Sequence, residues 1–190
     1  MKLLGKGAEA TVHEDGSFVL KTRNSKTYRN KILDEKLRSE RTKAEAKNMK
    51  KLKGLAPNVI EAKKYEIKME KIEGLHVREI LAKQPKKLGK QIGEACQTMH
   101  NANISHGDLT TTNMFLQKQK IRLIDFGLSK SNARVEDKAV DLNIFKQVLN
   151  STHTNQAQKV WEAFKTTYKP KQKTEIMKRL QKIESRGRYK

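Results

Sequence analysis

The chain has one cysteine, Cys96, so an intramolecular disulfide is excluded and a reducing compartment is expected. Cys96 itself reads as a small buried side chain on a helix. Aromatic residues make up 5% of the chain, too few for a platform on which bases stack. No apolar run approaches the roughly 18 residues that a membrane span needs. The opening MKLLGKG lacks the apolar core of a signal peptide, so neither export nor a membrane anchor is expected. No internal repeat is visible, and scattered lysines are the sole low-complexity feature. Acidic residues are scarce too: 21 Asp and Glu stand against 42 Lys and Arg, a net charge of +21. That balance favours polyanions as partners, whether nucleic acid, nucleotides or an acidic protein surface, unless the lysines merely solvate exposed faces. From Lys165 to Lys190, ten basic residues face two glutamates, a local charge of +8 that ends in RGRYK. Charge concentrated at a free end can reach a partner, so this tail is an expected contact surface.

What is present is enough for one sizeable domain, or one domain of two lobes, at 190 residues. Apolar residues, 35% of the chain, fall in periodic runs, which marks it as folded. Residues 3–21, LLGKGAEATVHEDGSFVLK, read as a hairpin with a glycine turn and a second turn at Glu14-Asp15-Gly16. Lys31 to Lys53 is free of Gly and Pro and reads as one long helix with Leu37, Glu45, Met49 and Leu52 on one stripe. Ile67 to Ile72 reads as a strand before Gly74, and Val77 to Leu81 as a short helix. Lys87 to Asn103 reads as a longer helix that turns Leu88, Ile92, Ala95 and Met99 inward. Strands follow at Met114–Leu116 and Ile121–Ile124, then helices around Val140–Leu149, Ala157–Thr166 and Glu175–Ile183. Strands with one helix, then mostly helices, give an α+β fold: a small β-rich lobe over about 1–72, a helical lobe over 73–184 and a basic tail over 185–190.

Five elements carry candidate chemistry. Gly5-Lys6-Gly7-Ala8-Glu9-Ala10 matches G-x-G-x-x-G with alanine last, either a plain hairpin turn or a loop whose amides approach phosphate. Lys21 follows one hairpin later, where an ammonium could meet the same phosphates. Glu45 is a carboxylate on an inward stripe, and such a charge needs a partner, for which Lys21 is the natural candidate. In ISHGDLTTTNMFL, residues 104–116, Asp108 and Asn113 interrupt two apolar segments, as a polar turn or as paired ligands at fixed spacing. Asp125-Phe126-Gly127 closes an apolar strand and leaves a carboxylate at its end. Asp108 and Asn113 have the D-x-x-x-x-N spacing of a kinase catalytic loop, where the aspartate orients the nucleophile. There the asparagine and the D-F-G aspartate hold magnesium, a hard ion suited to oxygen ligands.

In this order the five elements resemble the protein-kinase superfamily over almost the whole chain. More narrowly, GAEA, ERTKAEA, HGDLTTTN, IDFGLS, EDKAVDL, STH and the terminal RGR resemble the small atypical kinase/ATPase subunit of the KEOPS (EKC) complex. The resemblance implies a minimal bilobal kinase-like fold and a Mg-ATP-dependent serine/threonine kinase or ATPase. It would support threonylcarbamoyladenosine modification of tRNA through hydrolysis or autophosphorylation. It implies ATP and Mg2+ as cofactors, with Asp108, Lys21 and Glu45 catalytic and Asn113 and Asp125 on the metal. Nucleotide contacts would come from Gly5, Lys6, Gly7, Ala8, Glu9, Ala10 and Lys21. Main-chain groups of Glu70 and Ile72 would meet adenine, with Met69 behind it. Implied partners are KEOPS subunits, chiefly the ATPase-fold tRNA-modifying subunit and a small regulatory subunit, with tRNA reached by the basic tail and no membrane. The implied location is cytoplasmic, and also nuclear in a eukaryote.

The chain also departs from regulated kinases. Gly107 replaces the arginine that receives a phosphorylated activation loop, and Thr110 replaces the lysine that helps neutralise the transferring phosphate. The stretch from Gly127 to EDKAVDL is too short for a long activation segment, and A-P-E is missing. ATP hydrolysis or autophosphorylation is therefore the leading expectation, against a regulated protein kinase or a non-catalytic tRNA-binding or partner-binding scaffold. Asp141 resembles the helix aspartate that braces the catalytic loop, and His106 reads as support for that loop. Asp137 and Lys138 read as active-site neighbours, an ion pair or a partner interface.

Overall fold

Ala10–Asp15 and Phe18–Arg23 hold β-branched and alternating side chains on either side of Gly16, whose φ of +62° makes the turn, and they pair as antiparallel strands. The computed structural model describes residues 1–187. It divides into two compact units, Met1–Ile72 and a second beginning at Glu73. In the first unit, β1 (Lys2–Lys6), β2 (Ala10–Asp15), β3 (Phe18–Arg23), β4 (Val59–Ala62) and β5 (Glu66–Glu70) form an antiparallel sheet in the order β1-β2-β3-β5-β4. The helix α1 (Lys31–Lys51) packs against β4 and β5. Asn30 caps it by accepting from the backbone N–H groups of Ile32 and Leu33.

The expected apolar stripe of α1 is in fact mostly polar. Asp34, Thr42, Glu45 and Asn48 are buried beside Ala46 and Met49, whereas Leu37 is half-buried and Leu33 exposed. Ion pairing makes this possible: Asp34 meets Arg38 at 2.7 Å and Arg29 at 3.7 Å, so its charge enters the interior with partners. The strand expected at Ile67–Ile72 stops at Glu70.

The second unit opens with β6 (Leu75–His76), α2 (Val77–Ile80) and α3 (Pro85–Asn101). Next come β7 (Ile104–Ser105), a 3-10 turn at Thr111–Asn113, β8 (Met114–Gln117), β9 (Lys120–Leu123) and β10 (Lys130–Ser131). Then α4 (Val135–Thr152), α5 (Ala157–Thr167) and α6 (Lys173–Gly187) complete it. Leu88, Ile92, Ala95 and Met99 are buried on α3, with Cys96 between them. Burial, with the Asp141 charge nearby, pushes the Cys96 thiol well above its ordinary range, so it stays an inert core group. Helix α5 approaches α3 closely because Gly89 and Gly93 carry no Cβ; one at either position would lie 2.6 Å from the carbonyl oxygen of Val160 or Phe164. Phe145, Trp161, Phe164 and Tyr168 stack along the same core.

Helix α4 starts at Val135, five residues before the expected Val140. Asp137 causes this by accepting from the Arg134 N–H at 3.0 Å, an N-terminal capping interaction, while pairing with Lys130 at 2.7 Å. The expected basic tail divides: Ser185, Arg186 and Gly187 continue α6, and Arg188, Tyr189 and Lys190 lie outside the described residues.

Candidate active site

The candidate residues divide between the units. In the first, Gly5 and Lys6 end β1, Ala10 begins β2, and Gly7, Ala8 and Glu9 form the loop between them, closed by the Gly7 N–H donating to the Ala10 carbonyl at 2.9 Å. Neither Gly5 nor Gly7 has positive φ, and a Cβ on Gly5 would meet nothing within 4 Å. The fold itself does not require glycine there, so the small side chains leave open space above the loop. The Glu9 carboxylate turns to Arg41 at 2.6 Å and Arg29 at 3.4 Å, and Lys26 donates to the Ala8 carbonyl. These three cations tether the loop and were not legible as its partners. Partial burial raises the Glu9 pKa, but the Arg41 and Arg29 charges outweigh it and hold the carboxyl below its usual range.

Lys21 on β3 places Nζ 2.6 Å from Glu45 Oε1, and both are buried. Arg23, two residues along and on the same strand face, places Nη2 2.6 Å from Glu45 Oε2. One buried carboxylate thus holds two cations, and Arg23 is a partner of Glu45 that sequence reasoning missed. Met69 is buried on β5, Glu70 ends that strand with its N–H donated to the Asn58 carbonyl at 2.9 Å, and Ile72 lies two residues beyond.

In the second unit, antiparallel pairing of Met114 on β8 with Leu123 on β9 brings the ends of two candidate segments together. The Ile124 N–H donates to the Asn113 carbonyl at 3.0 Å, so Asn113 and Asp125 sit at neighbouring strand ends. Asn113 Nδ2 donates to Asp108 Oδ2 at 2.8 Å and to the Asp108 carbonyl at 3.0 Å. With its nitrogen pinned, the amide has its oxygen as the ligating atom. Asp125 adopts φ of +60°, and its Oδ1 accepts from the Gly127 N–H at 3.3 Å while Phe126 is fully buried.

The loop before Asp108 hangs on one carboxylate. Asp141 on α4, fully buried, accepts from the His106 N–H at 2.7 Å and the Gly107 N–H at 2.8 Å. The His100 ring meets the same carboxylate through Nε2 at 3.2 Å and the Tyr168 hydroxyl through Nδ1 at 2.7 Å. His106 Nδ1 accepts from the Asp108 N–H at 3.2 Å, so Nε2 carries the proton donated to the Ile124 carbonyl at 3.0 Å. The imidazole therefore joins the Asp108 loop to the strand that ends in Asp125.

A protein kinase domain model matches residues 1–161, most of the chain. The chain is 41% identical over 174 residues to the EKC/KEOPS complex subunit BUD32 of Enterocytozoon bieneusi, covering 82% of this chain and 85% of that protein. The chain belongs to the protein-kinase family, in its Bud32 group. A probable bifunctional tRNA threonylcarbamoyladenosine biosynthesis protein of Methanosphaera stadtmanae is 38% identical over 97% of this chain and 36% of its own length. The Rio2 kinase of Chaetomium thermophilum, solved as an ADP/Mg2+-phosphoaspartate complex, has the same fold at a TM-score of 0.64 and 14% identity, over all of this chain and 72% of that one. The architecture is thus α+β and kinase-like.

Within the Bud32 group, this chain gives its departures from regulated kinases a backbone cause. Gly107 has φ of +83°, and a Cβ there would lie 2.5 Å from the Leu128 carbonyl, so arginine does not fit. After Gly127 the chain folds straight back: β10 pairs with β7, and the Ala133 N–H donates to the Asn103 carbonyl at 2.8 Å before α4 begins. Asp137 and Lys138 do not pair with each other; the first caps α4, and the second is buried against Asn103 and Gln172. His153, silent in the sequence, bonds Thr111 Oγ1 through Nε2 at 3.0 Å and so steadies the 3-10 turn.

A pH dependence follows. Burial lowers the His106 pKa against the opposing pull of Asp141, and burial with the Arg78 charge lowers that of His153. For a group depressed in the folded state, stability is complete above the ordinary value of about 6.5 and is lost as pH falls through the lowered one. Urea midpoints should fall between about pH 8 and about pH 5, with a shallower fall in His153→Gln. A midpoint that rises on acidification would contradict this account.

Proposed function

We propose that the chain is a Mg-ATP-dependent phosphotransferase or ATPase that works as the kinase-like subunit of a KEOPS-type complex in threonylcarbamoyladenosine modification of tRNA. The observation that carries this reading is the Asp108–Asn113 clamp joined through the strand ladder to Asp125. The chemistry of these donors suits the implied ion. Among the described residues no three His, Cys, Asp or Glu side chains form a metal-binding cluster. Magnesium is ordinarily held by one or two carboxylates together with substrate phosphates, so Asp125 and the Asn113 oxygen are an adequate protein share. Bound there, it would neutralise phosphate charge during transfer.

The chain's own residues supply the rest. The Lys21 ammonium, fixed by Glu45, is a cation for phosphate oxygens, and the open glycine loop offers backbone amides to the same group. The Glu70 N–H is committed to Asn58, so adenine would be met by the Glu70 carbonyl and the main chain of Ile72, with Met69 behind. Asp108 orients the attacking hydroxyl or water, and Asn113 fixes the direction of its carboxylate. Hydrolysis or autophosphorylation is favoured over phosphorylation of diverse proteins because the short Leu128–Arg134 connection provides no peptide platform. The partners in this reading are an ATPase-fold tRNA-modifying subunit, a small regulatory subunit and tRNA engaged by the basic tail. The setting is the cytoplasm, or also the nucleus in a eukaryote. No helix among the described residues is long and apolar enough to cross a membrane.

Phosphate release from ATP, measured with and without the partner subunits and tRNA, should rise when they are present. Efficient phosphorylation of generic peptides by the chain alone would overturn the proposal in favour of an ordinary protein kinase.

A further inference from the structure

A cavity of about 260 Å3 lies in the second unit, lined by His100, Asn101, Asn103, Lys138, Lys171 and Gln172. None of the residues assigned above to nucleotide, metal or nucleophile lines it. Lys138 is 3% exposed and donates from Nζ to Asn103 Oδ1 at 2.9 Å and Gln172 Oε1 at 3.0 Å. An ammonium has three N–H donors, so one remains beyond these two acceptors. No carboxylate pairs with Lys138 among the described residues, and its burial lowers its pKa with no compensating charge.

The amides around it are oriented by necessity. The Lys171 backbone N–H donates to Asn101 Oδ1 at 3.0 Å. An ammonium and a backbone N–H can only donate, so Asn101, Asn103 and Gln172 must turn their oxygens to these groups. Their NH2 groups are what they can offer to a ligand, and none has an acceptor among the described residues. The His100 ring is occupied on both nitrogens, by Tyr168 and Asp141. The lining residues therefore offer three amide NH2 groups as donors and two lysines, buried Lys138 and exposed Lys171, with no carboxylate among them.

We propose that this cavity binds a phosphate group of a polynucleotide backbone. A lining so rich in donors, with two cations and no carboxylate, calls for an anion with several acceptor oxygens, which phosphate provides more fully than a carboxylate. Lys169 and Lys171 lie in the connection from α5 to α6 and Lys173 begins α6, so basic residues continue along the chain on both sides of the cavity's Lys171. A net charge of +21 draws a polyanion to this surface as a whole. The inference does not depend on ATP use.

The test titrates isotope-labelled full-length protein with inorganic phosphate, an oligouridylate and an oligoglutamate, following the side-chain NH2 resonances of Asn101, Asn103 and Gln172. Both phosphate probes should shift them saturably, the oligouridylate at concentrations roughly tenfold lower because its charge also meets the flanking lysines. Lys171→Glu, a substitution at an exposed residue, should raise the oligouridylate Kd about tenfold and leave ATP turnover unchanged. Equal affinity for inorganic phosphate and oligouridylate would overturn the polynucleotide assignment. A stronger response to oligoglutamate would replace phosphate by a protein carboxylate. Resonances that none of the three probes moves would remove the site.

Discussion

Asp125→Asn is expected to lower ATP turnover by about a thousandfold while leaving the urea midpoint unchanged. Asparagine is the informative replacement because Asp125 sits at φ of +60°, a region that asparagine and aspartate visit readily. Alanine there would add about 1–2 kcal/mol of backbone strain and confuse loss of chemistry with loss of fold. Asparagine keeps the volume and one oxygen but removes the charge. The residue is exposed and not part of the core, and buried Phe126 continues to anchor the segment. A metal ligand that stabilises developing charge contributes several kcal/mol, and each 1.36 kcal/mol is a decade of rate, which gives the magnitude. Added magnesium should restore part of the loss. Turnover within about threefold of the parent, with partners present, would remove Asp125 from the chemistry.

The relation of sequence to site explains which residues could be read in advance. Glu45 was legible because a carboxylate on an inward helix stripe demands a cation, and Lys21 is the partner found. Arg23 was not: strand alternation puts it on the face of Lys21, but nothing local says that one carboxylate takes two cations. The polar buried face of α1 was likewise hidden. Periodicity reads burial from apolarity, whereas Asp34 is buried through ion pairs to residues four and five positions away. The early start of α4 escaped because Arg134 is not a capping side chain; the cap reaches back from Asp137. Gly107 was legible as an absent arginine, but its cause, a positive φ beneath the Leu128 carbonyl, belongs to a contact across twenty-one residues. The basic character of the Lys138 cavity shows the same limit. Its amides come from α3, the turn after it and the α5–α6 connection, segments that only tertiary packing brings together.

Asp141→Ala is expected to cost the second unit about 3–9 kcal/mol, a larger stability loss than any other substitution proposed for this chain. The carboxylate is fully buried and serves three donors: the His106 and Gly107 N–H groups and the His100 ring. Removing it leaves all three unsatisfied, at about 1–3 kcal/mol each when no water replaces it. The effect spreads in two directions. Toward the core, the His100 ring loses the acceptor that fixes its Nε2 proton, and with it the geometry of the Tyr168 hydroxyl bond. Burial, reinforced by Cys96 and Asp141, raises the Tyr168 pKa, so that hydroxyl remains a proton donor and holds Nδ1 as its acceptor. Toward the site, the His106–Gly107 backbone is released while Gly107 still has to keep its φ of +83°, and Asp108 follows it. Hydrogen exchange at the His106 and Gly107 amides should therefore accelerate more than at Leu88 or Ile92 on α3. ATP turnover should fall even at temperatures where the variant remains folded. Asp141→Asn retains one acceptor oxygen and should recover part of the stability but not the full slow exchange. If Asp141→Ala unfolds at the parent's urea midpoint and the two amides exchange as slowly as before, the brace is not Asp141.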